Sequence, residues 1–214
     1  MASNPVITDT DRSSIQERQL DLIDLILSRR STSPKWLIEP GPTQAQIERM
    51  IAAAVAAPDH ECLCPWRFLE ISGVAREALA DVFAEAKRLR SPGENPEEVE
   101  RERERGRRAP VTLAVIARLR RDLEKVPVRD QYASVGAAIQ NILLSAHAMG
   151  FGAKTLSGAK VNDPFICEAL RVGPEEELVC FICMGTPADA PKERPRPSVA
   201  EHLTRWTGAG NKEK

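Results

Sequence analysis

The chain has 214 residues, 42% of them apolar and 29% charged, with a formal net charge of -1. That length and composition suit one globular domain, and the near-neutral charge argues against a general nucleic-acid binder. No apolar run approaches the roughly eighteen residues of a membrane span, and the N-terminus, MASNPVITDTDRSSIQERQ, has no apolar stretch of a secretory signal, which points to the cytoplasm.

Residues 1–18 are polar and without period and read as a loose arm, ahead of a domain over 19–197 and a tail over 198–214. Leu22, Ile23, Ile26 and Leu27 keep helical spacing over 20–29. Thr43 with Gln46 forms a capping box for a second helix, whose buried stripe is Ile47, Met50, Ile51, Ala54 and Val55. PWRFLEIS reads as a strand, and a helix over 74–89 faces Val74, Leu79, Val82, Phe83 and Ala86 inward. EEVERERERGRR suits an exposed helix with pairs such as Glu100–Arg103 and Glu104–Arg108, or a mobile cover over a pocket.

VTLAVIARL is apolar enough for a strand buried on both faces. The longest helix runs over 130–149 and ends at Gly150. FGAKTLSG is a short extended segment, Asp163-Pro164 opens a short helix, and LVCFICMG is the last strand. The proline-rich PADAPKERPRPSV cannot form a core alone. This order is mixed α and β around one sheet.

The cysteines form a C-x-C (Cys62, Cys64), a C-x-x-C (Cys180, Cys183) and a lone Cys167. A metal site can draw on such pairs. In a buried strand, however, Cys180 and Cys183 point to opposite faces, so they read as core side chains. His60, His147 and His202 are too scattered to suggest a metal site, and His147 reads as structural. GFGAKTLSG follows a helix and leads into a strand, the reverse of the dinucleotide fingerprint.

Anion binding is the chemistry left. In SRRSTSPKW, Arg29 and Arg30 close a helix, where its dipole also favours cations. Guanidinium groups grip phosphate with paired hydrogen bonds, and Ser31 adds a hydroxyl. Lys192, Arg194 and Arg196 supply a second basic group.

Taken in series, RRS at a helix end, APDHECLCPWRFLEI about 25 residues on, AMGFGAKTLSG after a long helix and CMGTPADAPKERPRP after a strand resemble the nitroreductase family of flavoproteins, over residues 20–197. The resemblance implies an α+β fold with a central mixed, mainly antiparallel sheet flanked by helices, and an intertwined homodimer with FMN at the subunit interface. It implies that Arg29, Arg30 and Ser31 contact FMN, that His60 reaches the ring from the partner, and that Thr155, Leu156 and Ser157 line it. Arg194 or Arg196 matches a late basic residue that pairs with the phosphate. The implied activity takes hydride from NADH or NADPH onto flavin N5 and passes it to a small-molecule acceptor: a nitroaromatic, quinone or other conjugated compound. No side chain need act as acid or base, so no catalytic residue and no metal ligand is assigned. The chain departs from the family pattern at Ala56, Cys62, Cys64 and Leu156, which keeps a non-catalytic or regulatory dimer with weak or lost flavin binding as the alternative.

Overall fold

The computed structural model describes residues 22–189, 195–206 and 208. The expected arm over 1–18 lies outside them, as do Lys192 and Arg194. A first helix, α1, covers 22–28. The chain continues through β1 (Leu37–Ile38), α2 (Gln44–Val55), β2 (Trp66–Ser72), α3 (Ala75–Arg90), α4 (Pro96–Arg107) and β3 (Val111–Arg118). It ends with α5 (Val128–Ala148), β4 (Gly152–Leu156), α6 (Pro164–Ala169) and β5 (Glu176–Pro187), then a short turn over Val199–Glu201.

One sheet organises these elements. Its order is β1-β5-β3-β2, with β4 also paired to β5. Every ladder is antiparallel; the parallel component is the single bridge from Ser31 to Ala153. The long β5 is the spine because its residues alternate between two apolar cores. Cys180, Ile182 and Met184 join Ile47, Met50, Val135 and Ile142 from α2 and α5. Phe181 joins Leu79 and Phe83 of α3 and Ile166 of α6 on the opposite face. Cys180 and Cys183 thus belong to different clusters, as period-two alternation requires. Burial pushes their thiols up to about 12 and about 11, which leaves them unreactive.

Local signals account for the element ends. Thr43 and Gln46 form the complete capping box of α2. Asp163 accepts from the Phe165 and Ile166 amides at the start of α6. Two inward assignments fail. Val74 is 92% exposed and Val55 is 50% exposed. Val74 precedes the first turn of α3 and Val55 closes α2, so each stands off the stripe that its helix turns toward the sheet.

Helix α4 packs along α3 as a wall. Val99, Glu102 and Gly106 form its buried stripe. A Cβ at Gly106 would lie 2.5 Å from the Ala80 Cα, so only glycine permits this close approach to α3. Its charges are largely satisfied in place. Glu100 pairs with Arg103 as expected, but Glu104 pairs with Arg107, not Arg108. The i,i+3 spacing keeps both partners on one helical face, whereas Arg108 stands beyond the last helical residue.

Candidate functional site

The site begins where α1 stops. Its last carbonyls need donors, and arginines supply them. Arg30 Nη1 donates to Leu27 O at 2.6 Å and to Arg29 O at 3.2 Å. Arg196 Nη2, from the distant tail, donates to the same two oxygens at 3.2 and 2.7 Å. Arg29 differs: among the described residues its guanidinium has neither a hydrogen bond nor an ion pair. Burial, then the charges of Arg196 and Arg30, hold it below the usual arginine range. Three guanidinium groups therefore crowd one helix end, with no carboxylate among them in the described residues.

His147 of α5 completes this corner. Its Nε2 lies 3.0 Å from Ser28 Oγ. Ser28 Oγ also lies 3.1 Å from Leu25 O, and the imidazole tautomer sets which of His147 and Ser28 donates. Burial, then Arg29 and Arg30, lower its pKa below 6.5. Nothing in the sequence tied His147 to Ser28, 119 positions earlier. An open groove of about 530 Å³ between α1, Gln140 of α5 and the tail has Arg29 and Arg196 in its lining.

From this corner the chain runs along the edge strand β4. Ser31 bridges Ala153, and the Thr32 amide donates to Ala153 O at 3.1 Å. Gly152 makes this possible, since a Cβ there would sit 2.9 Å from Thr32 Oγ1 and 2.8 Å from Leu37 Cδ2. The segment 29–33 thereby links the arginine groove to a second cavity of about 300 Å³. Ser33, Lys154, Leu156, Ser157, Phe83 and Lys160 are among its lining residues, with α4 as one wall. Arg29 and Ser33 are four residues apart, at most about 13 Å in an extended chain.

The cavity combines an apolar floor with cations. Lys160 Nζ lies 5.1 Å from the Phe83 ring centroid and 2.5 Å from Glu102 Oε2. Glu102 also pairs with Arg105. Burial raises the Glu102 carboxyl, but Lys160 and Arg105 outweigh it and hold the group below its ordinary value. Ser33, Lys154 and Lys160 escaped the sequence reading. The alternation of β4 could have revealed Lys154, two residues from Leu156 and therefore on the same face.

Of the residues expected from the sequence, the structure brings together Arg29, Arg30, Ser31 and Arg196, and joins them through β4 to Leu156 and Ser157. Thr155 faces the other side of β4 and is exposed. His60 opens the exposed turn His60–Cys62, away from α1 in sequence and with no hydrogen bond or ion pair to this cluster. That loop is tight: Glu61, Cys62 and Cys64 have φ values of 62°, 51° and 49°, and Asp59 Oδ2 accepts from the Cys64 amide at 2.6 Å. Among the described residues no group of three or more His, Cys, Asp or Glu could hold a metal ion.

The model of the nitroreductase family matches residues 26–186. The Escherichia coli (strain K12) protein named "Putative NAD(P)H nitroreductase YdjA" is 33% identical over 168 residues, 78% of this chain and 89% of its own. The crystal structure of a nitroreductase-like family protein from Bacillus cereus superposes with a TM-score of 0.74 at 19% identity, covering 97% of this chain and 100% of that one. The Desulfovibrio desulfuricans protein described as "a putative nitroreductase in complex with fmn" gives a TM-score of 0.65 at 25% identity over 86% of this chain and 96% of its own.

Proposed function

Because the chain belongs to the nitroreductase family, we propose that it is an FMN-dependent NAD(P)H oxidoreductase of the cytoplasm that works as a homodimer. The observation that carries this reading is the convergence of Arg29, Arg30 and Arg196 with no carboxylate among the described residues to balance them. Packing three guanidinium groups together is unfavourable unless an anion joins them, and a phosphate monoester carries up to two negative charges.

The donor set fits FMN. Arg29, with its hydrogen-bonding capacity unspent, Arg196 and the Ser31 hydroxyl would hold the phosphate. Leu156 and Ser157 would hold the ring, which needs an apolar surface with polar groups at its edge. When bound, FMN supplies a two-electron carrier able to accept hydride from NADH or NADPH and pass it to a nitroaromatic, quinone or other conjugated acceptor. The chain's own contribution is to bind and orient. Arg30 and Arg196 brace the end of α1 through its carbonyls, which fixes Arg29. The wall formed by α4 narrows access of water to the ring cavity.

The apolar face of α1 supports the dimer. Leu22, Ile23 and Leu27 are each more than half exposed in the single chain, as are Val199, Leu203 and Trp206 of the tail, a patch suited to a partner. The exposed His60 turn would then reach the ring of the partner subunit.

The test is spectroscopic. Purified protein, incubated with FMN and desalted, should keep the yellow flavin spectrum. It should bleach on addition of NADPH or NADH under nitrogen and recover colour with a quinone. Protein that remains colourless after loading sinks this reading and favours the non-catalytic dimer, for which the departures at Ala56, Cys62, Cys64 and Leu156 provide the motive.

A further inference from the structure

Among the described residues, two cations that line the cavity beside β4, Lys154 and Arg108, have no ion-pair partner. Lys160 and Arg105 share the buried carboxylate of Glu102, and Arg108 is exposed at the rim. Lys154 is half-buried, lines the cavity, and has no ion-pair partner among the described residues. It pairs in register with Cys183 of β5, whose thiol stays protonated near neutrality because burial pushes it up to about 11. Cys183 therefore supplies no counter-charge. An ammonium that lines a cavity with no carboxylate beside it attracts negative charge, so this position is suited to a ligand that brings an anion into the cavity.

Resting on the FMN reading above, we propose that Lys154 is the residue that sets the flavin's redox balance, by binding the reduced cofactor more tightly than the oxidised one. Oxidised flavin that takes up two electrons and one proton gains one negative charge. An ammonium beside the ring favours that product and leaves the neutral oxidised ring nearly indifferent. The same position on β4 aligns Lys154 with Leu156, so charge and apolar floor come from one strand face.

The experiment measures the two-electron midpoint potential of FMN-loaded protein by equilibration with a reference dye, for wild type, Lys154→Met, Lys154→Gln and Lys154→Arg. Arg88→Gln, which breaks an exposed pair with Glu85 on α3, serves as the control. Titration of oxidised FMN by fluorescence quenching accompanies each. The expected result is a reduced-to-oxidised ratio about ten-fold lower in Lys154→Met and Lys154→Gln, equivalent to about 30 mV for a two-electron couple. Oxidised FMN should bind within about three-fold of wild type, Lys154→Arg should recover the potential, and Arg88→Gln should not move it. A ratio within about two-fold of wild type in whichever neutral variant folds and binds FMN overturns the proposal while the FMN reading stands. Wild-type protein that binds no FMN overturns both.

Discussion

Two arginine-rich stretches of this chain have opposite electrostatic characters. Along α4 each arginine meets a carboxylate: Arg101 with Glu97 and Glu98, Arg103 with Asp81 and Glu100, Arg105 with Glu102, and Arg107 with Glu77, Glu100 and Glu104. At the end of α1, Arg29, Arg30 and Arg196 meet backbone carbonyls and one another. Charge density is as high in the first stretch as in the second, yet among the described residues only the second is uncompensated. Unbalanced charge, rather than abundant charge, distinguishes a ligand site from a solvated helix that buttresses a wall.

Glu176 tests the compensated class at its strongest. It accepts from Arg67 Nη2 at 2.6 Å, from the Gly173 amide at 3.0 Å and from Arg118 at 3.2 Å. Arg67 above all, with Gly173 and Arg118 assisting against the cost of burial, lowers its carboxyl from 4.5 to about 2. The folded protein therefore binds that proton less readily than the unfolded chain. The stabilisation is complete above pH 4.5 and drains away as pH falls toward 2. The expected loss is about 3 kcal/mol, read from denaturant unfolding across that window, and Glu176→Gln should lack it. Parallel acid profiles of the two proteins would remove Glu176 from this class.

The contrast itself is tested by FMN affinity. Arg29→Ala should weaken FMN binding by about 10- to 100-fold, as loss of a charge-assisted hydrogen bond of about 1.5–3 kcal/mol implies. Arg101→Ala should leave binding within about two-fold, because exposed ion pairs are worth about 0–1 kcal/mol. Fluorescence quenching titrations measure both, and equal retention would dissolve the distinction between the stretches.

The smallest effect is a titration. His147 is held below 6.5 by burial and by Arg29 and Arg30, so the folded protein resists protonating it and loses stability as pH drops through that range. An anion among the arginines offsets their field. Adding inorganic phosphate should move the His147 transition upward in an NMR titration, and the movement should be absent in Arg29→Ala. A transition indifferent to phosphate in wild type would separate His147 from the anion site.

Much of this architecture could be read from residues three or four apart. The α2 capping box, the Asp163 cap and the apolar β3 depend on neighbours along the chain, and each lies where the pattern put it. The RRS segment was equally visible, since arginines at a helix end need no distant partner to be noticed. The errors at Val55 and Val74 arose at helix ends, where periodicity continues on paper after the backbone has turned away.

By itself, then, the sequence determined the succession of elements, the family resemblance and the presence of basic groups, because these depend on local hydrogen bonding and on apolar periodicity. Tertiary structure alone decided which cations were neutralised. Arg196 joins Arg29 from 167 positions away, Lys160 is neutralised by Glu102 of α4, and Lys154 is left without a carboxylate among the described residues. Coulomb energy depends on distance through space and on exclusion of water, and neither quantity is set until the sheet has brought α1, α4 and β4 together.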